Sequence, residues 1–475
     1  MPDLDFIFNP KSVAIVGVSS VADSLTNRNF LKPLLECGYR GKIYPVNPHM
    51  TELMGLKVYP SVLEIPEPVD SVVSGLPASL VPKLMRECVE ARVKVVTCFS
   101  AGFSETGDAE GARLEAEVLD IARRGGVRLL GPNCLGIHNP AAGCTFEAGG
   151  SRRSGHVGFL SQSGGNTREL ILAGAQRGVL FSKAVSYGNA ADLDETDFLQ
   201  YFASDGDTKV VAAYIEGVKR PQSFVRALRE TVREKPVVIL KGGRTQAGTR
   251  AVMSHTSSLA GSAMVWDAVC RQTGARQVSD MGELADAVLA FSYLRPPRGR
   301  RVGVVGIGGG ASVQAADDCE RAGLFVPPFP PELRRELRAF TTSAGTGIAN
   351  PIDTSPDVYW EPALYRETVK LVSDCEDIDL VLVMFAAVQA VKRGVEELKR
   401  QIEAVLDAGM AMSKPLAIVI FTAGMVEAEK VAAEVGAQCL EAGVPVFPTM
   451  GRAARAVNHL ISHWESQGRW RCGPR

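Results

Sequence analysis

No apolar run in the 475-residue chain reaches the ~18 residues that cross a bilayer as a helix. The N-terminal MPDLDFIFNPKS has no basic stretch followed by an apolar one, so a secretory leader is not expected. An excess of one charge is also missing. Lys plus Arg number 52 against 53 Asp plus Glu, a formal net charge of −1. That balance supplies no electrostatic footprint for nucleic acid or an acidic membrane surface. The ten cysteines, Cys37, Cys98, Cys134 and Cys270 among them, form no CxxC pair and no zinc-like spacing. Reduced thiols in a cytoplasmic protein are expected, over a disulfide framework. Histidine is scarce, with six in all, so each can be weighed on its own.

Apolar residues make up 46% and charged residues 22%, enough for each domain to bury a core. The length suggests about three domains of roughly 150 residues. Short β-branched runs such as SVAIVGV, VDSVVSGLP and VKVVTCFS alternate with helical stretches. This alternation predicts parallel strands joined by crossover helices, covered on both faces. A Gly- and Arg-rich stretch at 149–155 (GGSRRSG) and a Pro/Arg cluster at 294–301 (LRPPRGRR) mark the expected boundaries. The second and third blocks open alike, with HVGFLSQSGG and VGVVGIGGG, which suggests related architecture. Three open α/β sheets are the predicted fold.

In the first block, Gly17, Ser19 and Ser20 follow the strand SVAIV. A glycine there lets the turn approach a ligand's phosphate closely. The second strand ends in Asn47-Pro48, where a dinucleotide site carries Asp or Glu for the ribose hydroxyls. That disfavours NAD and a dehydrogenase. It leaves a nucleotide-containing ligand whose ribose is not read by an acid, or a scaffold with a vestigial site. Leu76-Pro77, Ser100 and Asn133 follow later strands. Ligands in open α/β sheets bind at these carboxyl ends.

In the second block, Ser161, Gln162, Ser163, Gly164 and Gly165 separate a strand from a helix expected over 167–176. Small residues there expose backbone N–H groups to an anion, or simply form an N-cap. Glu216 ends the strand VVAAYI, either as a catalytic carboxylate or as a solvated one. His255 sits among Ser254, Thr256, Ser257 and Ser258, near the expected beginning of a helix. It is either a structural or capping residue, or a ring that carries phosphate near helix-start amides while Glu216 fixes its tautomer. His459 and His463, four apart, read as a surface pair over a metal pair for want of a third ligand. His49, His138 and His156 read as loop residues.

IYPVNP, AGFSE, GPNCLG, SQSGG, GNAADLD, YIEG, KGGRTQAG and SHTSSLAG occur in order along the chain. With these markers the chain resembles the NDP-forming acyl-CoA synthetase superfamily, and in particular the α subunit of its ADP-forming acetate branch. The resemblance implies a Rossmann-like CoA-binding domain over 1–150. A succinyl-CoA synthetase-like domain over 151–297 and a ligase-CoA domain over 298–475, both flavodoxin-like, would follow. It implies His255 as the phosphorylated histidine, Glu216 as its holder, and the Ser161–Gly165 stretch as the phosphate loop. Gly17, Ser19, Ser20, Asn47, Pro48, Leu76, Pro77, Ser100 and Asn133 would line or adjoin the coenzyme A site. No ATP-grasp module is found among the three blocks. A separate ATP-grasp β-type subunit holding ATP/ADP and Mg2+ is therefore implied, in a hetero-oligomer. No metal site is assigned to this chain. The family usually has Gly-Ala after SHT, where Ser257-Ser258 stand here, which keeps a non-catalytic CoA-binding or regulatory homologue as the alternative.

Overall fold

The β-branched runs form strands, and the strands fall into three sheets of one design. The structure, a computed structural model, describes residues 4–256, 262–306, 308–341, 347–353, 361 and 363–468; the side chains of 253–256 and 340 lie outside that description. The chain divides into two compact units, Met1–Ala175 with Val179–Leu284, and Gln176–Gly178 with Ala285–Arg475.

The first unit holds two sheets. One comprises β1 (Ser12–Val16), β2 (Lys42–Val46), β5 (Ser71–Ser74), β6 (Val95–Cys98) and β7 (Arg128–Leu130), all parallel, in the order β2-β1-β5-β6-β7. A small hairpin of β3 (Glu52–Leu53) and β4 (Leu56–Lys57) stands between β2 and β5 in sequence. The other sheet has β8 (Gly136–Asn139) and β9 (Cys144–Thr145) as an antiparallel edge. Its parallel body is β10 (Val157–Ser161), β11 (Phe181–Ser186), β12 (Val210–Ile215), β13 (Val237–Lys241) and β14 (Arg276–Val278), and the full order is β14-β13-β12-β10-β11-β8-β9.

The second unit holds β15 (Val302–Gly306), β16 (Ile352–Asp353), β17 (Leu380–Ala386), β18 (Leu416–Phe421) and β19 (Val446–Phe447), in the order β16-β15-β17-β18-β19. Counting the parallel strands of each sheet in chain order, all three read 2-1-3-4-5, the doubly wound order. The direction of winding reverses between the first and third strands, and a crevice opens there at the carboxyl edge. The first, central strands β1, β10 and β15 are buried along their whole length, as a sheet covered on both faces requires.

The N-terminal helix Asp5–Phe8 packs against the helix Glu195–Ser204 that covers the second sheet. Phe8 stacks on Tyr201 with ring centroids 4.7 Å apart and meets Phe198 and Phe202 edge-on or tilted. Asn139 Nδ2 holds Phe8 O at 3.0 Å, so the leading segment is hydrogen-bonded as well as packed. In the second unit Asn350 Nδ2 donates to Val302 O and Pro327 O, and Asp353 Oδ1 accepts from Gly308 N at 2.8 Å, bracing the turn after β15. Every described cysteine is a free thiol, and most are buried. Among the described residues no helix is long and apolar enough to cross a membrane.

Candidate functional site

In the second sheet the crevice lies between β10 and β12. Ser161 ends β10 fully buried; its Oγ accepts from Ser163 N at 3.1 Å and donates to Ser163 O at 2.9 Å. This tight turn lets Ser163 cap the helix Gly164–Arg177, with Asn166 N on Ser163 Oγ at 3.2 Å and Thr167 N on Ser163 O at 3.1 Å. The helix thus starts at Gly164, three residues before the expected 167. Among the described residues, no hydrogen bond engages the N–H of Gly164 or Gly165. Both are first-turn donors with no intrahelical acceptor. Ser163 therefore caps the helix, and the N–H groups of the two glycines stay open.

Gln162 locks the crevice floor. Its Oε1 accepts from Glu216 N and from Gly217 N at 3.0 Å, and its Nε2 donates to Gly217 O at 3.1 Å. Glu216 is only 6% exposed, which removes the solvated alternative. Tyr214 Oη donates to Glu216 Oε1 at 3.1 Å, while Oε2 is buried with no hydrogen-bond partner among the described residues. Buried polar atoms are rarely left so, and an open carboxylate oxygen in a ligand crevice marks a place for a donor. Burial, and next the Glu216 carboxylate, push the Tyr214 hydroxyl well above its ordinary range, so it stays a donor.

Lys241 ends β13 and was not singled out from the sequence, although a lysine closing the apolar strand VVILK is a visible signal. It is 4% exposed. Its Nζ donates to Glu216 O at 2.7 Å and to Gly242 O, and lies 5.4 Å from the centre of the Trp266 ring. No ion pair engages it among the described residues. Burial lowers Lys241 to about 8; Glu216 pulls it back up and Arg244 pushes it further down. After β11, Glu195 opens the helix Glu195–Ser204 at 1% exposure, with Oε1 lacking a hydrogen-bond partner among the described residues. Burial first, and the Asp194 charge second, raise its carboxyl to about 8.

His255 lies in the helix Gln246–Thr256, one residue before its described end rather than near its beginning. The reason is the cap. Thr245 Oγ1 accepts from Gly248 N at 3.0 Å and Thr245 O from Thr249 N at 2.7 Å, and no proline follows before His255. Amides of its own helix start are therefore not beside it; the open amides are those of Gly164 and Gly165. The side chain of His255, and Ser257 and Ser258 entirely, lie outside the described residues. The other histidines part from the sequence reading in three cases. His138 is buried in β8, with Nδ1 2.7 Å from Thr145 Oγ1, and burial lowers it to about 4. His459 and His463 are buried, not a surface pair, and the His463 ring meets Phe291 and Trp464 edge-on. Among the described residues no cluster of metal-ligating side chains forms.

The first sheet's crevice, between β1 and β5, is built from backbone. Gly17 has φ +90°, and a Cβ there would stand 3.2 Å from Gly75 C and 3.3 Å from Leu76 Cδ2. Only glycine permits both the angle and the approach. Asn27, missed in the sequence, braces the next turn. Its Oδ1 accepts from Ser19 N, and its Nδ2 donates to Ser19 O at 2.7 Å and Val21 O at 3.0 Å. Asn47 is a second brace, with Nδ2 on Val18 O at 2.6 Å and Oδ1 accepting from His49 N at 2.8 Å. It holds the loop on which its ligand contact is expected. Ser100 Oγ donates to Leu76 O, and Ser100 O accepts from Asn133 N at 3.0 Å. Gly17, Ser19, Leu76, Ser100 and Asn133 therefore gather at one edge; Pro77 adjoins Leu76, while Ser20 and Pro48 are exposed on the loops. This open, glycine-turned cradle fits a phosphate-bearing ligand such as coenzyme A.

Residues 11–140 match the CoA binding domain, 154–291 the succinyl-CoA ligase like flavodoxin domain, and 302–467 the ligase-CoA domain. The α subunit of acetate–CoA ligase [ADP-forming] I from Pyrococcus furiosus is 33% identical over 98% of this chain and 99% of its own. Acetate–CoA ligase [ADP-forming] I from Archaeoglobus fulgidus is 39% identical over 80% of this chain. The match covers 54% of that protein, so the chain spans about half the length of such relatives. A solved structure from Ca. Korarchaeum cryptofilum, a dinucleotide forming acetyl-coenzyme A synthetase 1 in complex with phosphate and ADP, superposes with a TM-score of 0.84 at 31% identity, covering 98% of each chain. The chain belongs to the NDP-forming acyl-CoA synthetase superfamily, on the branch of ADP-forming acetate–CoA ligase α subunits.

Proposed function

We propose that the chain is the α-type subunit of an NDP-forming acyl-CoA synthetase that joins a carboxylic acid to coenzyme A, or runs in reverse to make ATP. The observation that carries this reading is Glu216, a buried carboxylate with one unpartnered oxygen at the carboxyl edge of β12. In this scheme Glu216 Oε2 accepts the N–H of His255, which fixes the tautomer and leaves the other ring nitrogen free for phosphoryl transfer. The N–H groups of Gly164 and Gly165, at the positive end of a helix dipole, hold the phosphoryl oxygens. Lys241 adds positive charge beneath the same crevice. Ser161, Gln162 and Ser163 keep the donors in place. Gly17, Ser19, Ser20, Asn47, Pro48, Leu76, Pro77, Ser100 and Asn133 form or brace the coenzyme A cradle.

The relay has three steps. His255 takes a phosphoryl group and ADP leaves; a carboxylate takes it from His255 as an acyl phosphate; the CoA sulfur attacks the acyl carbonyl and phosphate departs. Mg2+ arriving with ATP supplies charge neutralisation at the phosphates. Positioning and electrostatics carry most of the catalysis. ATP and Mg2+ reside on an ATP-grasp β-type partner, in a hetero-oligomer; the Pyrococcus relative, named as an α subunit, supports a partner of that kind. The proposed division of labour is a CoA-binding domain over 1–150, the phosphohistidine domain over 151–297 and the ligase-CoA domain over 298–475. To test this, the chain is incubated with an ATP-grasp partner, γ-labelled ATP and Mg2+, then chased with acetate and coenzyme A. Acid-labile label that appears on the chain and is discharged by the chase supports the reading. Absence of label on wild type, or equal labelling of His255→Ala, sinks it.

A further inference from the structure

We propose that Asn189 is a positioning residue that sets the coenzyme A-side loop of residues 100–105 against the catalytic sheet during thioester formation. The inference rests on the acyl-CoA synthetase reading and extends it to a residue outside the histidine–glutamate pair. Asn189 follows β11 and is 4% exposed. Its Nδ2 donates to Glu105 Oε2 at 2.5 Å and to Glu115 Oε2 at 2.9 Å. Neither carboxylate forms an ion pair among the described residues, so two acids share one neutral amide. Each acid in turn collects the loop. Glu105 Oε1 accepts from Gly102 N at 2.6 Å and Phe103 N at 3.2 Å, and Glu115 Oε2 accepts from Ser104 Oγ at 2.6 Å. Ser100, at the head of that loop, is bonded to Leu76 and Asn133 of the first crevice.

The backbone of Asn189 bridges loops of both sheets. Its N–H donates to Pro132 O at 3.0 Å, and its carbonyl accepts from Lys219 Nζ at 2.7 Å, three residues beyond Glu216. Gly188 makes this contact possible, since a Cβ there would stand 2.2 Å from Pro132 O. One residue therefore ties the loops of the first crevice to the strand ends of the second, all within the first unit. Asn189 Oδ1 is buried without a hydrogen-bond partner among the described residues. The side chain keeps its donor contact with the two acids although its acceptor is left unmet, which points to the loop contact as what the residue is for.

Thioester formation needs the thiol of a ligand held by one crevice to reach an acyl carbonyl in the other, in near-attack geometry. Misplacement of about 1 Å can slow such a step roughly 100-fold. Histidine phosphorylation from ATP involves no coenzyme A and does not need this registration. Asn189→Ala leaves two carboxylates without their shared donor, and Asn189→Asp adds a third acid, so both release the loop.

The experiment uses the full chain with its ATP-grasp partner. Rapid-quench measurements follow label from γ-labelled ATP, its discharge by acetate alone, and its discharge by acetate with coenzyme A. The expected result for both variants is labelling at the wild-type rate, an unchanged KM for ATP, and CoA-dependent discharge slowed by about 100-fold with a raised KM for coenzyme A. Combining Asn189→Asp with Glu105→Gln restores an amide–carboxylate pair with the original charge, and it should recover much of the CoA-dependent rate. This reciprocal pair also carries the test if Asn189→Ala fails to fold. Wild-type CoA-dependent kinetics in the single variants would overturn the inference. So would equal losses in labelling and in CoA-dependent discharge, or no recovery in the reciprocal pair. A wild-type chain that never acquires label overturns the relay reading itself, and this inference with it.

Discussion

The first and second sheets of the first unit share one strand order, yet their carboxyl edges differ in kind. The crevice between β1 and β5 is lined by a glycine turn, short neutral side chains and two asparagines whose amides brace loops. Among the described residues no buried charged side chain stands at that edge. The crevice between β10 and β12 buries a carboxylate and a lysine, with a half-buried tyrosine hydroxyl in the same hydrogen-bonded group. Strand order fixes where a ligand binds. What happens to the ligand depends on which side chains end the strands. In the proposed relay the first edge holds the ligand and the second moves charge, and the Asn189 contact joins the two.

That contrast can be broken from either side. The largest effect is expected from Glu216→Gln, which removes the charge and leaves the shape. Phosphoenzyme formation should fall by roughly 100-fold or more, while calorimetric CoA binding holds. Loss of CoA affinity together with phosphorylation would show that the two edges are not separable. Gly17→Val is the mirror case. A β-branched residue at φ +90° is strained and its Cβ presses on Gly75, so CoA affinity should drop by about tenfold or more, with labelling from ATP far less affected.

A third, smaller effect is a pH dependence. Lys241 is charged below about 8 and neutral above it. Phosphoenzyme yield should therefore fall as pH rises through about 8, and Lys241→Arg, which stays charged, should move that alkaline limb upward. An unmoved limb would assign the titration elsewhere. The smallest effect concerns stability alone. The Glu195 carboxyl is raised from 4.5 to about 8, so between those values the folded chain holds a proton that the unfolded chain has released. Its contribution to stability is thus lost as pH rises through that window. Glu195→Gln should flatten the decline in Tm between pH 5 and 8, with little change in labelling. A variant whose Tm falls as steeply as wild type contradicts this assignment.

Much of this was legible in the sequence because it depends on local chemistry. Apolar β-branched runs ending in glycine or serine turns foretell parallel strands and their ligand edge, and the ordered markers bring in the family. Burial was not legible. Glu216 at a strand end and His463 beside Ser462 both look open to solvent in sequence, and only the folded sheets and helices cover them. Lys241 closes an apolar strand, but its partners are carbonyls contributed by strand ends, which no spacing rule reveals. Asn47 reads as a ligand-facing residue and Asn27 as nothing in particular, since a side-chain amide that braces a turn and one that binds a ligand have the same sequence signature. His255 was misplaced along its helix because the cap, Thr245, lies ten residues upstream, beyond the window in which a histidine among serines suggests a helix start.

The central claim is that His255 carries the phosphoryl group while Glu216 holds it. The most direct measurement is site mapping of the phosphate by mass spectrometry at neutral to alkaline pH, after incubating the chain with an ATP-grasp partner, ATP and Mg2+. The account predicts a phosphate on the peptide bearing His255, fragment ions placing it on that ring, and its near-complete loss in Glu216→Gln. A phosphate on another residue, or a Glu216→Gln chain labelled as fully as wild type, would contradict it.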